Sequence, residues 1–92
     1  MFRLDMDDAV RSAISQLSPD RKKKIKESMR TIAANPTVGK ALQQTLSGLC
    51  SYRVGALRII YTIDRPRRMV RIIALGPRST IYEEVEREIL AR

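Results

Sequence analysis

Hydrophobic and polar residues alternate through the second half of the chain with a period of two, which is typical of β-strands. Two such runs, residues 49–54 and 57–63, are rich in Val, Ile, Leu and Tyr and are separated by Gly55-Ala56. Glycine at the first central position is characteristic of a two-residue type II′ hairpin turn. This turn predicts an antiparallel pair in which Arg53 lies opposite Arg58.

A third run, from about Met69 to Leu75, predicts a third antiparallel strand. The turn before it centres on Pro66-Arg67 or on Arg65-Pro66, and the preference of proline for the first central position favours Pro66-Arg67. Both registers assign the same side chains to the same face because they differ by two residues. We therefore predict a three-stranded antiparallel meander.

Alternation along these strands separates an apolar face from a face that carries arginines. The apolar face, which we expect to be the core, is predicted to consist of Cys50, Tyr52, Val54, Leu57, Ile59, Tyr61, Ile63, Val70, Ile72 and Ala74. The opposite face is predicted to carry Ser51, Arg53, Arg58 and Arg71, with Leu49, Ile60, Ile73 and Leu75 on it or at its margin.

The arginines on this face are the main functional signal. Like charges that lie directly opposite each other on neighbouring strands are destabilising, so a sheet gains no stability from Arg53 beside Arg58. A long arginine on an open face is an ordinary structural feature when it occurs alone. Arg53, Arg58 and Arg71 on one surface, with Arg78 just past the third strand, favour a site for an anionic ligand.

The first half of the chain changes to helical spacing after a short strand at residues 2–6. A first helix is predicted from about Asp7, and a second from Ser18, the expected N-cap, to about Ala34, where Asn35-Pro36 stops it. This helical hairpin should pack on the apolar face of the sheet. Residues 35–47 are interpreted as a connector.

The last segment, from residue 80, predicts a terminal helix with an apolar stripe at Ile81, Val85 and Ile89. Ser79 or Thr80 is its expected cap. The pattern leaves open whether this helix folds back on the sheet or is displaced by a partner. The predicted fold class is α+β: a strand, a helical hairpin, a small twisted meander and a terminal helix, forming one domain over residues 1–92.

The net charge of +8, from 18 Lys and Arg against 10 Asp and Glu, indicates a polyanionic partner. Lys22, Lys23, Lys24 and Lys26 cluster where the second helix begins, and they either form a solvated face or contact a nucleic-acid backbone. No apolar run is long enough to span a membrane and no signal peptide is recognisable, so we expect a cytoplasmic protein. The single Cys50 is expected to be a buried, unreactive residue.

The chain contains no histidine and one cysteine, which excludes histidine acid–base pairs and a zinc ligand set. No glycine-rich phosphate loop is present, and we expect no metal or cofactor. Arginine and tyrosine suit cleavage of RNA by its own 2′-hydroxyl, where the protein aligns the nucleophile, stabilises charge on the phosphorus and moves protons. Tyr82, four residues after Arg78, is the best candidate for proton transfer, with packing at the start of the helix as the structural alternative.

The segments LSGLCSYRVGALRIIYTID and VRIIALGPRSTIYEEV resemble the RelE/ParE superfamily of toxins from toxin–antitoxin pairs. The resemblance implies a RelE-like fold, a cognate antitoxin as partner and, for the RelE branch, metal-independent cleavage of mRNA on the ribosome to a 2′,3′-cyclic phosphate. It implies phosphate contacts for Arg53 and Arg58, acid or charge-stabilising duty for Arg78, and proton acceptance or base stacking for Tyr82. The other candidate RNA contacts are Ser51, Arg71 and the four lysines.

The chain also departs from the best-known RelE pattern. Only Arg53 is basic in the strand before the hairpin, with Ser51 on the same face, and Pro77 stands where a basic residue or His is common. Two alternatives therefore remain: a ParE-like inhibitor of DNA gyrase, and a catalytically weakened homologue that acts in antitoxin-dependent repression. The combination of Arg58, Arg78 and Tyr82 favours the endoribonuclease.

Overall fold

A computed structural model describes residues 1–91, and in this range the chain forms three α-helices and one five-stranded sheet. The elements are β1 (Arg3–Met6), α1 (Asp8–Ser15), α2 (Pro19–Ala34), β2 (Lys40–Ala41), β3 (Cys50–Val54), β4 (Leu57–Asp64), β5 (Met69–Pro77) and α3 (Ile81–Leu90). Single 3-10 turns at Pro36–Val38 and Gln44–Leu46 flank β2. The α+β class is confirmed.

The sheet has the order β1-β5-β4-β3-β2, with β1 parallel to β5 and the other neighbours antiparallel. The meander β3-β4-β5 has the predicted register at its first hairpin, where Arg53 pairs with Arg58. Gly55 has a φ of 62°, which a type II′ turn requires at this position. The second turn centres on Pro66-Arg67, as expected, because the Arg68 amide donates to the Arg65 carbonyl at 3.1 Å.

Side-chain caps fix where the first two helices begin. The Asp7 carboxylate accepts from the Val10 amide at 3.0 Å, and the Ser18 hydroxyl accepts from the Arg21 amide at 3.4 Å, so each satisfies an amide that lacks a helical partner. Asn35 ends α2 before Pro36, as predicted. Thr80 is the N-cap of α3 but makes no side-chain capping bond.

The faces of β5 differ from the prediction beyond Ile72. Ile60 pairs with Ala74 whereas Tyr61 pairs with Ile72, so the register shifts by one residue at Ile73, which makes a β-bulge. As a result Leu75 packs on the side of α1 and α2, and Ala74 packs on the side of α3. The assignment of Ala74 to the core face and of Leu75 to the arginine face was wrong, because an alternating sequence carries no mark of one extra residue.

The predicted connector contains more structure than its sequence suggested. Its β2 pairs with β3, with Lys40 opposite Ser51. The buried Tyr61 hydroxyl donates to the Pro36 carbonyl at 2.6 Å and accepts from the Gly39 amide at 3.0 Å, which fastens the connector to the sheet. Burial raises the pKa of Tyr61 to about 12.

Helices cover both faces of the sheet. The helix-side core, between the sheet and α1 and α2, contains Val10, Ile25, Ile32, Ile59, Tyr61, Val70 and Ile72. The α3-side core contains Leu46, Ile60, Ile81 and Val85. The terminal helix therefore folds back on the sheet, over the face that carries Arg58. None of the helices in residues 1–91 is long and apolar enough to cross a membrane.

Candidate functional site

Three arginines lie at one end of the sheet, one on β3, one on β4 and one just past the end of β5. Arg53 on β3 pairs with Arg58 on β4, and Arg58 pairs with Gly76 on β5. Cα atoms paired in this way are about 4.5–5.5 Å apart. Arg78 follows the end of β5, and its amide donates to the Ala56 carbonyl at 2.9 Å, which holds the end of β5 against the β3–β4 turn.

Arg53 and Arg78 are exposed and share one surface depression of ≈ 550 Å³ with the β3–β4 turn. Gly55, Ala56, Pro77 and Ser79 complete its lining. The Arg53 Nε donates to the Gly55 carbonyl at 3.2 Å, which leaves the end of the guanidinium available to a ligand. The outer part of the site is therefore open to solvent and positively charged.

Arg58 lies deeper, between the sheet and the first turn of α3. Its Nη1 donates to the Ser51 Oγ at 3.1 Å, and the Tyr82 hydroxyl donates to the same oxygen at 3.0 Å. The guanidinium carbon of Arg58 is 5.6 Å from the centre of the Tyr82 ring, within the range of a cation–π contact. The Arg58 Nε is buried and has no hydrogen-bond partner in the described residues.

Ser51 is the acceptor that joins these two side chains. Its side chain is buried, with a relative exposure of 2% for the residue, and its oxygen accepts from both Arg58 and Tyr82. A serine oxygen has two lone pairs, so its capacity to accept hydrogen bonds is filled. The sequence suggested Ser51 as an RNA contact, whereas the structure places it behind Arg58.

The glycine at position 76 allows α3 to pack close to β5, and this packing positions Tyr82. A Cβ at Gly76 would lie 2.9 Å from Cδ1 of the buried Ile81, so the absence of a side chain lets Ile81 pack on β5. Tyr82 follows Ile81 and is thereby directed at Ser51. The predicted partners Arg53, Arg58, Arg78 and Tyr82 thus come together with Ser51, and we call these five residues the candidate site.

The candidate site has no neutralising carboxylate within the part of the chain that the structure describes. The two ion pairs there lie elsewhere: Arg67 with Asp64 at 3.6 Å and Arg71 with Asp5 at 3.8 Å. Three arginines without acidic partners create a field that attracts an anion. Phosphate is one such anion, which a guanidinium group binds with two parallel hydrogen bonds.

The sequence matches the model of a known family, and the fold matches solved structures. Residues 5–86 match the family model of the ParE-like toxin of type II bacterial toxin–antitoxin systems. The chain belongs to this toxin family. No curated protein matched the sequence.

Solved structures of toxins share the fold. The toxin–antitoxin complex RelBE2 of Mycobacterium tuberculosis matches with a TM-score of 0.75 and 26% identity, covering 84% of this chain and 98% of that one. The isolated E. coli RelE toxin matches with a TM-score of 0.73 and 18% identity, covering 97% and 99%. The archaeal RelE–RelB complex of Pyrococcus horikoshii gives 0.73 and 21%, covering 84% and 94%. The RelE-like fold predicted from the sequence is confirmed.

Arg71 does not join the other arginines of this ParE-like toxin. It pairs with Thr62, four residues along β4 from Arg58, which is a distance of about 13 Å along the strand. Its guanidinium also has a partner in Asp5. The expectation that Arg71 lies on the surface of Arg53 and Arg58 thus holds for the face of the sheet but not for the site.

The basic cluster of α2 is divided between two surfaces. Lys22, Lys23 and Lys26 line one depression with Pro19, Glu27 and Arg30. Lys24 faces the β3–β4 turn together with Arg21, the first residue of the same basic run, which the sequence assigned to the cluster but not to the candidate RNA contacts. Their spacing of three residues puts them on one side of a helix and was the available signal.

Cys50 is half-buried and packs against the helix-side core, as its position in the alternating pattern predicts. Burial raises the pKa of its thiol, and the positive charge of Arg65 and a hydrogen bond with Tyr61 offset only part of that effect. A thiol that ionises less readily is a weaker nucleophile, so Cys50 has no place in the candidate site.

Proposed function

We propose that this toxin cleaves mRNA on the ribosome, using the 2′-hydroxyl of the RNA as the nucleophile. The observation that carries the proposal is the convergence of Arg53, Arg58 and Arg78, without acidic partners in residues 1–91, beside the phenol of Tyr82. Such a set supplies anion binding and proton transfer, which are the two needs of this reaction.

In the proposed step, the 2′-oxygen attacks the adjacent phosphorus and the bond from phosphorus to the 5′-oxygen breaks. The products are a 2′,3′-cyclic phosphate and a 5′-hydroxyl, so one proton leaves the 2′-oxygen and one reaches the 5′-oxygen. Arg53 and Arg58 stabilise the extra negative charge on the phosphorane oxygens. The guanidinium of Arg78 stabilises charge on the leaving oxygen. Tyr82 relays a proton or stacks on a base.

Ser51 holds Arg58 and Tyr82 in position when no substrate is bound. In the free toxin its oxygen accepts the hydrogen bonds of both Arg58 and Tyr82. A phosphate oxygen carries charge and accepts a hydrogen bond more strongly than a neutral hydroxyl does. A bound phosphate would therefore draw both donors away from Ser51 and satisfy the Arg58 Nε, which lacks a partner in the described residues.

We also propose a cognate antitoxin as the partner of the toxin. Several of the matching structures are complexes with an antitoxin, among them the toxin–antitoxin complex RelBE2 of Mycobacterium tuberculosis and the RelE–RelB complex of Pyrococcus horikoshii. The charge of +8 favours an acidic antitoxin segment, which would inhibit by covering the exposed guanidinium groups of Arg53 and Arg78.

The test is expression of the toxin and its variants in bacteria, with growth and the 5′ ends of cellular mRNA as measurements. Arg58→Ala and Arg78→Ala should restore growth and remove the new 5′ ends. Arg58→Lys keeps the charge but loses the planar fork of donors, so it should be impaired nearly as strongly. Arg71→Ala is the matched control, because it removes one arginine outside the site, and it should remain toxic.

Two results would overturn the proposal. The first is full toxicity of folded Arg58→Ala and Arg78→Ala variants. The second is intact mRNA together with DNA damage and altered supercoiling, which would indicate inhibition of DNA gyrase; the match to a ParE-like model makes this the second candidate function. A parent chain that is not toxic at all would instead indicate a weakened homologue that acts with its antitoxin.

A further inference from the structure

The tip of the β3–β4 hairpin has cations on both of its sides. On one side, Arg53 and Arg78 line the depression of the candidate site. On the other side, Arg21 and Lys24 from α2 line a second depression of ≈ 190 Å³. The two depressions share Gly55 and Ala56, so only a two-residue turn, about 7 Å of chain at most, separates them.

The turn itself is exposed and consists of two small residues. Gly55 and Ala56 are exposed, and a Cβ built on Gly55 would have no atom within 4 Å. Small residues at this position leave room for an extended chain to cross the hairpin from one depression to the other. A bulky turn residue would have separated the two basic surfaces.

Arg21 and Lys24 have no evident structural task. Both are exposed and neither forms an ion pair within residues 1–91. Arg21 lies in the first turn of α2, where positive charge opposes the helix dipole and slightly destabilises the helix, and Lys24 lies one turn further on. An external anion between them and the hairpin would offset that cost.

The remaining lysines of α2 differ in their surroundings. Lys22, Lys23 and Lys26 share their depression with the carboxylate of Glu27, and Gly55 and Ala56 do not line it. Arg30 lines the same depression and offsets that carboxylate, so this surface stays positive, but it does not adjoin the hairpin turn or the candidate site. The structure thus divides between two surfaces a basic cluster that is continuous in the sequence.

We propose that Arg21 and Lys24 form a flanking subsite for single-stranded RNA. A strand bound at the candidate site crosses the Gly55-Ala56 turn, and the two cations contact its next phosphates. The contact is to the backbone, so it adds affinity and fixes the path of the strand without selecting a sequence. The inference rests on the proposed function, since it extends the substrate path of the same site.

The experiment measures binding of 2′-O-methyl oligouridines of three and nine nucleotides, which bind but cannot be cleaved because the 2′-oxygen is blocked. Fluorescence anisotropy at several salt concentrations gives the Kd values and the salt slope. The double variant Arg21→Ala with Lys24→Ala should bind the nonamer about tenfold more weakly, with a slope smaller by about 1.4 for two lost phosphate contacts. Its affinity for the trimer should change less than twofold.

The matched control is Lys23→Ala with Lys26→Ala, which removes the same charge from the same helix. It should leave the Kd values of both oligonucleotides within about twofold, and circular dichroism should show that both double variants are folded. Equal losses in the two double variants would overturn the subsite in favour of general attraction. Losses that are equal for trimer and nonamer, or absence of binding by the parent, would overturn it as well.

The binding experiment tests the subsite independently of the proposed cleavage of mRNA, because the oligonucleotides used as probes are not cleaved. If the parent cuts no mRNA in cells but shows the length-dependent loss, the endoribonuclease proposal fails and the RNA subsite stands. If the parent cuts mRNA and the two double variants bind alike, the subsite alone fails.

Discussion

The two faces of the sheet are built differently. The face beneath α1 and α2 is closed by seven buried residues and contains no arginine of the candidate site. The face beneath α3 has four buried residues, and beside them lie Ser51, Arg58 and Tyr82 joined by hydrogen bonds.

This difference indicates that one face of the sheet mainly stabilises the fold and that the other carries the candidate site. The helix-side core supplies most of the buried apolar surface, and hence most of the stability. The α3-side core only needs to hold one ten-residue helix in place, so the neighbouring strand positions can carry charge. A buried Nε without a hydrogen-bond partner in the described residues, such as that of the half-buried Arg58, is destabilising, and the face with less packing is the one that carries it.

The strongest test of the comparison uses consecutive residues of β4. Ile59 and Ile60 are exposed by 1% and 0% and point to opposite faces. Each change to alanine should lower the free energy of unfolding by about 2–5 kcal/mol. Only Ile60→Ala should also reduce the hydrogen-exchange protection of α3 relative to the rest of the chain. Equal loss of α3 protection in both variants would show that the two faces do not act separately.

Tyr61→Phe tests the attachment of the connector on the helix-side face. It leaves the Pro36 carbonyl and the Gly39 amide without their partner, so urea unfolding should show a loss of about 1–3 kcal/mol. Tyr52→Phe, a half-buried tyrosine of the same core, is the matched control and should change stability less.

The same tyrosine gives a prediction for alkaline pH. The pKa of Tyr61 is about 12 in the folded protein, above the ordinary value of 10, so folding favours the neutral phenol. Its contribution, about 2–3 kcal/mol, is complete below pH 10 and is lost as the pH rises from 10 to 12. Stability of Tyr61→Phe should fall less steeply over that range, and an unchanged slope would contradict the assignment.

Ser51→Ala tests the α3 face. It removes the acceptor shared by Arg58 and Tyr82, so we expect a loss of stability of about 1–2 kcal/mol and, if the proposed reaction is correct, roughly tenfold slower cleavage through poorer positioning. Ser47→Ala on the exposed connector is the control. Faster cleavage by Ser51→Ala would mean that Ser51 restrains the site and does not position it.

The smallest effect is expected at the far end of the sheet. Asp5→Ala removes the partner of Arg71, an exposed pair at 3.8 Å, and such pairs contribute about 0–1 kcal/mol. Neither stability nor toxicity should change measurably. A large loss of toxicity in Asp5→Ala would indicate that Arg71 contributes to the function of the site despite its distance from it.

Local signals in the sequence were sufficient for the meander and for the pairing of Arg53 with Arg58, but not for separating Arg71 from them. Gly55 fixes the first turn, the turn fixes the register, and the register puts Arg53 beside Arg58. The bulge at Ile73 was not predictable, because it depends on how β5 meets β4 and leaves the alternating pattern intact. The two residues of β2 are too few to show a period and form a strand only because β3 is available.

The covering of Arg58 by α3 could not be predicted from the sequence either. The stripe of Ile81, Val85 and Ile89 predicts that α3 packs, but an apolar stripe does not say against which face. Once α3 lies over β4, Tyr82 covers Arg58 and the expected open surface becomes an exposed rim with a covered centre. That arrangement depends on contacts between residues far apart in the chain.

The parallel pairing of β1 with β5 has a consequence for folding of the chain during its synthesis. Arg3 is matched with Met69, so β1 cannot join the sheet until the chain has been synthesised as far as β5. Pairing over such a long separation in sequence is slow to form. Arg78 and Tyr82 follow β5 in the chain, so the candidate site can assemble only after β1 to β5 have been synthesised.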